Sequence, residues 1–233
     1  MIGNAPLLGE KMTEEDLAAR VVEWLESQHW TVYQEVMAGL GVCDIVAVRE
    51  PAVWCVECKT SLGLPVICQA HDWMRWANYS SVAVPTSKKP RHPFVSRLLE
   101  DCGIGCVEVG RSWLGQKEIR ETVRPKFQRR VCSHLRSKLH PEQKTGEFAP
   151  AGTSKGGYFT PFAKTKRAVQ NLVKKRGEMR LKTLVDELDH HYASDSSAKQ
   201  SLAKLIECGV IEGVALERNG RRIVVKRKES RKD

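Results

Sequence analysis

The sequence has no uncharged apolar run that approaches the ~18 residues of a membrane span. Its opening residues, MIGNAPLLGEKM, do not place an apolar stretch after a basic one, so we expect no secretory signal. No Gly-Lys-Ser or Gly-Lys-Thr phosphate loop is present, and no catalytic Ser/His/Asp or Cys/His arrangement is recognisable. These absences indicate a cytoplasmic protein, nucleoid-associated in a bacterium, with no membrane contact and with its eight cysteines reduced.

The charge is basic overall and unevenly distributed. The 233 residues include 38 Lys and Arg against 28 Asp and Glu, a net charge of +10. Residues 1–110 carry a net −5 and residues 111–233 a net +15. A basic surface favours an anionic partner, and nucleic acid, DNA first, is the partner we expect. The change of sign near residue 110 indicates two units with different roles.

The first domain, expected over residues 1–110, is predicted to be an α/β unit. Thr13 and the acidic residues that follow it predict the start of a helix over 13–28. Short apolar and β-branched runs between turn residues then predict strands, with two further helices among them. The predicted strands are 31–36, 43–48, 53–59, 81–84 and 106–109, and the predicted helices are 66–79 and 93–101. This order favours one sheet with helices around it.

The remaining sequence is predicted to form a connector and a second, smaller domain. Residues 111–140 are interpreted as a basic helical connector, and residues 141–161 as a Gly/Pro-rich linker or docking loop. In the domain expected over 162–233, apolar spacing predicts three helices followed by a hairpin around Asn219-Gly220. The helices are 163–175, 180–190 and 195–207, and the hairpin strands are 210–216 and 221–226. Three helices followed by a hairpin predict a winged helix-turn-helix domain with a basic tail.

Two carboxylates and one lysine are the candidate chemical groups of the first domain. Asp44 lies on one predicted strand, and Glu57 and Lys59 end the next one. Side chains alternate along a strand, so Glu57 and Lys59 share a face, and a short hairpin brings Asp44 beside Glu57. Carboxylates suit Mg²⁺ or Mn²⁺, while the lysine orients or deprotonates a water. Burying two carboxylates without a cation or extra protons is costly, which favours a functional role.

This arrangement resembles the PD-(D/E)XK nuclease superfamily over residues 13 to 109. Cys43 stands at the position that gives the motif its Pro, which is not a ligand. The resemblance implies a restriction-endonuclease-like mixed sheet flanked by helices and metal-dependent hydrolysis of DNA phosphodiester bonds. It implies Asp44 and Glu57 as metal ligands and Lys59 as a catalytic residue. The family often adds an acidic residue of the first helix, for which Glu14 is the first choice and Glu15 the second.

A glutamine on the next helix extends the resemblance. Members similar to the nucleases of recombination helicases carry Gln-x-x-x-Tyr, and here Gln69 precedes Trp73 by four residues on one helix face. The resemblance implies that Gln69 contacts the scissile phosphate or its water while Trp73 packs. An ordinary helix glutamine is the alternative. Cys55-x-x-Cys58 is not a zinc pair in this interpretation, because the two thiols point to opposite faces of a strand.

The predicted winged helix carries the candidate nucleic-acid contacts. Its third helix would enter the major groove and its wing would contact phosphate. The candidates are Lys199, Gln200 and Lys204 on the helix and Arg218, Arg221 and Arg222 on the wing. A protein partner at this domain and a homodimer are open alternatives. The alternative function is a non-catalytic DNA- or protein-binding module, a regulator, assembly factor or inhibitor, built on a degenerate nuclease fold.

Overall fold

A computed structural model describes residues 12–39, 41–87, 90–111, 117–146, 150–152, 159–220 and 222–228. Contacts divide the chain into two compact units, Met1–Phe159 and Thr160–Asp233. Among the residues described, no helix is both long enough and apolar enough to cross a bilayer.

The first unit is built on one sheet of six strands. Its helices are α1 (Glu14–Ser27), α2 (Leu64–Trp73) and α3 (Pro93–Cys102). Its strands are β1 (Thr31–Ala38), β2 (Gly41–Arg49), β3 (Ala52–Cys58), β4 (Tyr79–Pro85), β5 (Gly105–Arg111) and β6 (Lys117–Val123). The strands lie in chain order across the sheet, with β3, β4 and β5 parallel and the other neighbours antiparallel. The predicted α/β class, a mixed sheet flanked by helices, is confirmed.

Helices cover both faces of this sheet. The hydroxyl of Thr13 accepts the backbone N–H of Asp16, and the carboxylate of Asp16 accepts the N–H of Thr13, which fixes the start of α1. Apolar residues of α1 recur at helical spacing and pack on one face of the sheet, among them Leu17, Val21 and Leu25. Residues of α2 and α3 pack on the opposite face. The predicted helix 13–28 is therefore confirmed within one residue at each end.

The predicted helical connector over 111–140 is wrong. Lys117–Val123 forms β6, the sixth strand of the sheet, antiparallel to β5. The segment then runs without regular structure to two short 3₁₀ helices, Ser133–Lys138 and Pro141–Gln143. The β-branched Ile119, Thr122 and Val123 favour a strand, but the charged residues that alternate with them hide this pattern in the sequence.

Part of the predicted linker packs on the first unit. Ala151 is buried and its N–H donates to Oε1 of Gln34, while the N–H of Gly152 donates to Oε1 of Glu35. Phe159 is buried as well. Phe148 and Tyr158, the other aromatic residues of this stretch, lie outside the described residues.

The second unit contains the three helices and the hairpin that the sequence predicts. The helices are α4 (Pro161–Arg176), α5 (Leu181–Glu187) and α6 (Asp195–Glu207), and the strands are β7 (Glu178–Arg180), β8 (Val214–Asn219) and β9 (Arg222–Arg227). The strands form an antiparallel sheet in the order β7-β9-β8. The short β7 is missed by the sequence because three residues show no periodicity. The core includes Leu184, Leu202, Ile211 and Val225.

Gly105 allows β5 to start in a crowded position. A Cβ atom on Gly105 would lie 2.2 Å from Oγ of Ser81 and 2.8 Å from Cδ of Pro125. We expect Gly105→Ala to lower the free energy of unfolding by about 1–3 kcal/mol, because Pro125 has no rotamer with which to yield. Chemical denaturation measures this change. The control is Gly39→Ala, whose Cβ would meet nothing closer than 3.7 Å, and an equal loss in both variants would contradict the prediction.

Candidate active site

Asp44 and Glu57 lie side by side on neighbouring strands. Strands β2 and β3 pair with Ile45 opposite Val56, and continuing this register places Asp44 beside Glu57. Residues opposite each other in an antiparallel pair project to the same face of the sheet. Both side chains are buried, Asp44 with 9% and Glu57 with 4% of its surface exposed. The structure thus brings together the two carboxyl groups that the sequence places thirteen positions apart.

Each carboxyl group accepts a hydrogen bond from a neighbouring element. Oδ2 of Asp44 accepts the backbone N–H of Cys58 at 2.8 Å. Oε1 of Glu57 accepts the indole N–H of Trp73 at 2.6 Å, and Trp73 is only 3% exposed. The first donor comes from β3 itself and the second from the end of α2, so the sheet and the helix together orient the pair.

Burial disfavours ionisation of both Asp44 and Glu57 at the same time. Burial raises the pKa of Asp44 from its ordinary value, against the hydrogen bond from Cys58. Burial and the neighbouring charge of Asp44 raise the pKa of Glu57 to about 8, against the hydrogen bond from Trp73 and the charge of Lys59. The pair therefore keeps a proton at neutral pH when no cation is bound. A divalent cation would take the place of that proton.

Lys59 follows β3 directly and is charged. Its backbone N–H donates to the carbonyl of Ala83, and its Nζ donates to Oε2 of Glu14 at 2.9 Å. Partial burial opposes the charge, but the hydrogen bond to Glu14 and the nearby charges of Asp44 and Glu57 outweigh it and raise the pKa of Lys59. Of the two roles predicted for this lysine, a raised pKa favours orienting a water or phosphate over removing a proton.

Glu14, rather than Glu15, faces the carboxyl pair. Its charge contributes to the raised pKa of Asp44, whereas Glu15 is exposed. In the part of the chain that the structure describes, no three His, Cys, Asp or Glu side chains already converge as a metal cage. The donor set that fits a hard cation is the pair Asp44 and Glu57, with waters completing the coordination of Mg²⁺ or Mn²⁺. Glu14 is held by Lys59 through its Oε2 atom.

Gln69 and Trp73 have different places on α2. Gln69 is exposed, and no hydrogen bond within the described residues joins it to Asp44 or Glu57. Trp73, one turn later, reaches the pair. The sequence predicts that Trp73 packs, but it does not predict the indole hydrogen bond. The signal was present, because a buried tryptophan needs a partner for its N–H.

Burial keeps the nearby Cys43 and Cys58 in the thiol form. Cys43 and Cys58 are buried, and burial raises the pKa of each thiol well above its ordinary value. Thiolates are the forms that bind zinc. Cys55 is also buried and belongs to an apolar cluster with Cys43.

The candidate contacts of the second unit differ in their exposure. Gln200, Lys204 and Arg222 are exposed, and Lys199 is half-buried. Nη2 of Arg218 forms an ion pair with Glu207 at 2.7 Å, so Arg218 already has an anionic partner on α6. Arg221 lies outside the described residues.

The Trp73 hydrogen bond generates a prediction about metal affinity. We expect Trp73→Phe to weaken Mn²⁺ binding about 10-fold, because Glu57 loses the donor that favours its ionised form. Calorimetric titration measures this affinity. The matched control is Trp76→Phe, since the indole N–H of Trp76 is buried with no hydrogen-bond partner among the described residues. Equal Mn²⁺ affinity in Trp73→Phe and the parent protein would show that the hydrogen bond does not orient the ligand.

The raised pKa of Glu57 predicts a pH-dependent stability. The folded protein binds a proton that the unfolded chain releases. The contribution of Glu57 to the free energy of unfolding is therefore lost as pH rises from 4.5 toward about 8. We expect the Tm of the metal-free protein to fall more steeply across this window than the Tm of Glu57→Gln, which keeps an uncharged side chain. Differential scanning calorimetry in EDTA provides both profiles, and parallel profiles would refute the expectation.

Comparisons with known proteins provide no relative of this chain. Searches against family models, curated proteins and solved structures found no match. Function is therefore inferred from the geometry of the carboxyl pair, Lys59 and the hydrogen bonds around them.

Proposed function

We propose that this protein is a metal-dependent nuclease that hydrolyses DNA phosphodiester bonds with Asp44, Glu57 and Lys59. One observation supports the proposal above the others: two buried carboxyl groups lie side by side, with a charged lysine directly after them. Stability alone does not favour such a pair, because burying two carboxylates together costs free energy. A cation between them removes that cost and gives the pair a chemical role.

Each residue has a distinct role in this proposal. Asp44 and Glu57 hold Mg²⁺ or Mn²⁺, which when bound polarises the phosphate and lowers the pKa of a water. The ammonium group of Lys59 orients that water or a phosphate oxygen, and Glu14 keeps it charged and in place. The donors from Cys58 and Trp73 hold the carboxylates before substrate arrives, which reduces reorganisation during the reaction. Gln69, exposed on α2, contacts the scissile phosphate.

The architecture is compatible with the fold family that the first unit resembles and with the fold that the sequence predicts for the second unit. A first helix, three antiparallel strands and a helix that returns to a parallel strand support a restriction-endonuclease-like first unit. The order helix, short strand, two helices and hairpin supports a winged helix in the second. There, α6 enters the major groove, and the exposed Gln200, Lys204 and Arg222 contact DNA. The activity belongs in the cytoplasm, where DNA is accessible.

A non-catalytic binding module is the second candidate. The ion pair between Lys59 and Glu14 favours it, because the two groups satisfy each other without any substrate. In this alternative, the acidic pair and Lys59 stabilise a degenerate nuclease fold, and the protein binds DNA or a protein without cutting.

Cleavage assays on Lys59→Ala separate the two candidates. We expect Lys59→Ala to lower Mg²⁺-dependent cleavage of plasmid or linear single-stranded DNA by at least ~100-fold, because the ammonium group that orients the water or phosphate is lost. DNA binding measured in EDTA should change little. The matched control is Lys182→Ala, which removes an exposed lysine of the second unit. Undiminished cleavage by Lys59→Ala would overturn its role, and salt-sensitive binding without cleavage in the parent protein would support the binding module.

A further inference from the structure

The segment Arg-Pro-Lys-Phe-Gln-Arg-Arg, residues 124–130, lies on the surface of the first unit and is here called the RPKFQRR segment. Its backbone is fixed at several points. The N–H of Lys126 donates to the carbonyl of Gly103 at 3.0 Å, and the N–H of Gln128 donates to the carbonyl of Asn78 at 2.8 Å. The side-chain amide of Asn78 donates in return to the carbonyl of Gln128 at 2.9 Å. The segment therefore presents its other side chains from an ordered backbone.

The RPKFQRR segment is a concentrated source of positive charge. Arg124, Lys126, Arg129 and Arg130 are all exposed. No Asp or Glu occurs between residues 122 and 141, and Lys126, Arg129 and Arg130 form no ion pair with another described residue. Exposed arginines without carboxylate partners are suited to bind phosphate groups.

An aromatic ring stands among these cations. Phe127 is 51% exposed, and its ring lies 5.3 Å from the ring of Tyr79. Tyr79 in turn lies 6.0 Å from Trp54, which is buried against Trp30. Phe127 is thus the exposed end of a series of packed rings. Leaving an apolar ring in water is unfavourable, and covering it with a flat, uncharged partner is favourable.

We infer that the RPKFQRR segment binds single-stranded nucleic acid, with a base stacked on Phe127 and phosphates held by Lys126, Arg129 and Arg130. Cations that alternate with an aromatic ring are suited to a strand whose backbone is charged and whose bases have free faces. A duplex keeps its base faces stacked inside, so it would use the cations and leave Phe127 in water. An acidic protein would satisfy the charges but does not require an exposed ring.

This surface is distinct from the candidate active site. Strands β3 and β4 are parallel, with Trp54 opposite Tyr79. Lys59 follows the end of β3, whereas Asn78, which anchors the segment, precedes the start of β4. The RPKFQRR segment and Lys59 therefore lie at opposite ends of the sheet. A nucleic-acid strand bound at the RPKFQRR segment would be held away from the proposed position of cleavage. The inference does not depend on the nuclease proposal.

Variants of Phe127 test the stacking. The full-length protein is titrated in EDTA against a short fluorescent oligothymidine and against an abasic oligonucleotide with the same number of phosphates. We expect Phe127→Ala to bind oligothymidine about 10-fold more weakly and the abasic strand with unchanged affinity. The matched control is Phe94→Ala, which removes a ring that is 62% exposed on α3 and should bind like the parent protein.

Variants of the arginines test the phosphate contacts. Arg129→Ala and Arg130→Ala should each reduce the slope of log affinity against log salt concentration by about 0.7 for the single strand. The control is Arg97→Ala, an exposed arginine of α3, which should leave the slope unchanged.

Three results would overturn the inference. The first is equal oligothymidine affinity in Phe127→Ala and Phe94→Ala, or equal losses on oligothymidine and abasic strands. The second is an unchanged salt slope in both arginine variants. The third is tighter binding of duplex than of single strand with no dependence on Phe127, which would indicate a duplex contact. Binding is measured in EDTA without cleavage, so a parent protein that binds oligothymidine through Phe127 but does not cleave DNA would contradict only the nuclease proposal. Failure of the nuclease proposal and failure of this inference are therefore distinguishable.

Discussion

Two carboxyl groups lie side by side inside the first unit, and neither can be fully charged there without compensation. Burial raises the pKa of both Asp44 and Glu57, and the charge of Asp44 raises the pKa of Glu57 further. A structural core does not need such a pair, because apolar residues of similar size would stabilise it more. The pair is compatible with burial if it keeps a proton or holds a cation. The surrounding elements must therefore supply hydrogen-bond donors or positive charge.

The surrounding elements supply that compensation through three groups. The backbone of β3 donates to Asp44, the end of α2 donates to Glu57 through Trp73, and Lys59 adds a positive charge that Glu14 of α1 holds. None of these groups lies on a long loop, so the geometry is set by strands and helix ends. The same sheet separates this acidic site from the exposed cations of residues 124–130 at its other end. The acidic pair and the basic segment thus lie at opposite ends of one sheet, so a metal and an anionic strand bound as we propose would not compete for the same charges.

Sequence patterns predict the elements that have a clear period and miss those that depend on tertiary contacts. The helix of Leu17, Val21 and Leu25 and the hairpin at Asn219-Gly220 follow from local chemistry, and so does the approach of Asp44 to Glu57 through a short turn. Strand β6 was predicted as part of a helix, because its alternation is masked by charge and its stability comes from pairing with β5. The Trp73 hydrogen bond and the Glu14–Lys59 ion pair join residues far apart in sequence, so the spacing of residues does not predict them. The exposure of Phe127 also cannot be predicted from the sequence, because it depends on where Tyr79 and Asn78 lie in the folded unit.

If the carboxyl pair exchanges a proton for a divalent cation, as we propose, metal binding must release a proton. Mn²⁺ is titrated calorimetrically at neutral pH in buffers of different ionisation enthalpy, which reveals the protons released per ion bound. We expect about one proton per Mn²⁺, with saturable binding that is lost in Asp44→Asn. Saturable binding without proton release, or identical binding by Asp44→Asn, would contradict it and would place the metal elsewhere.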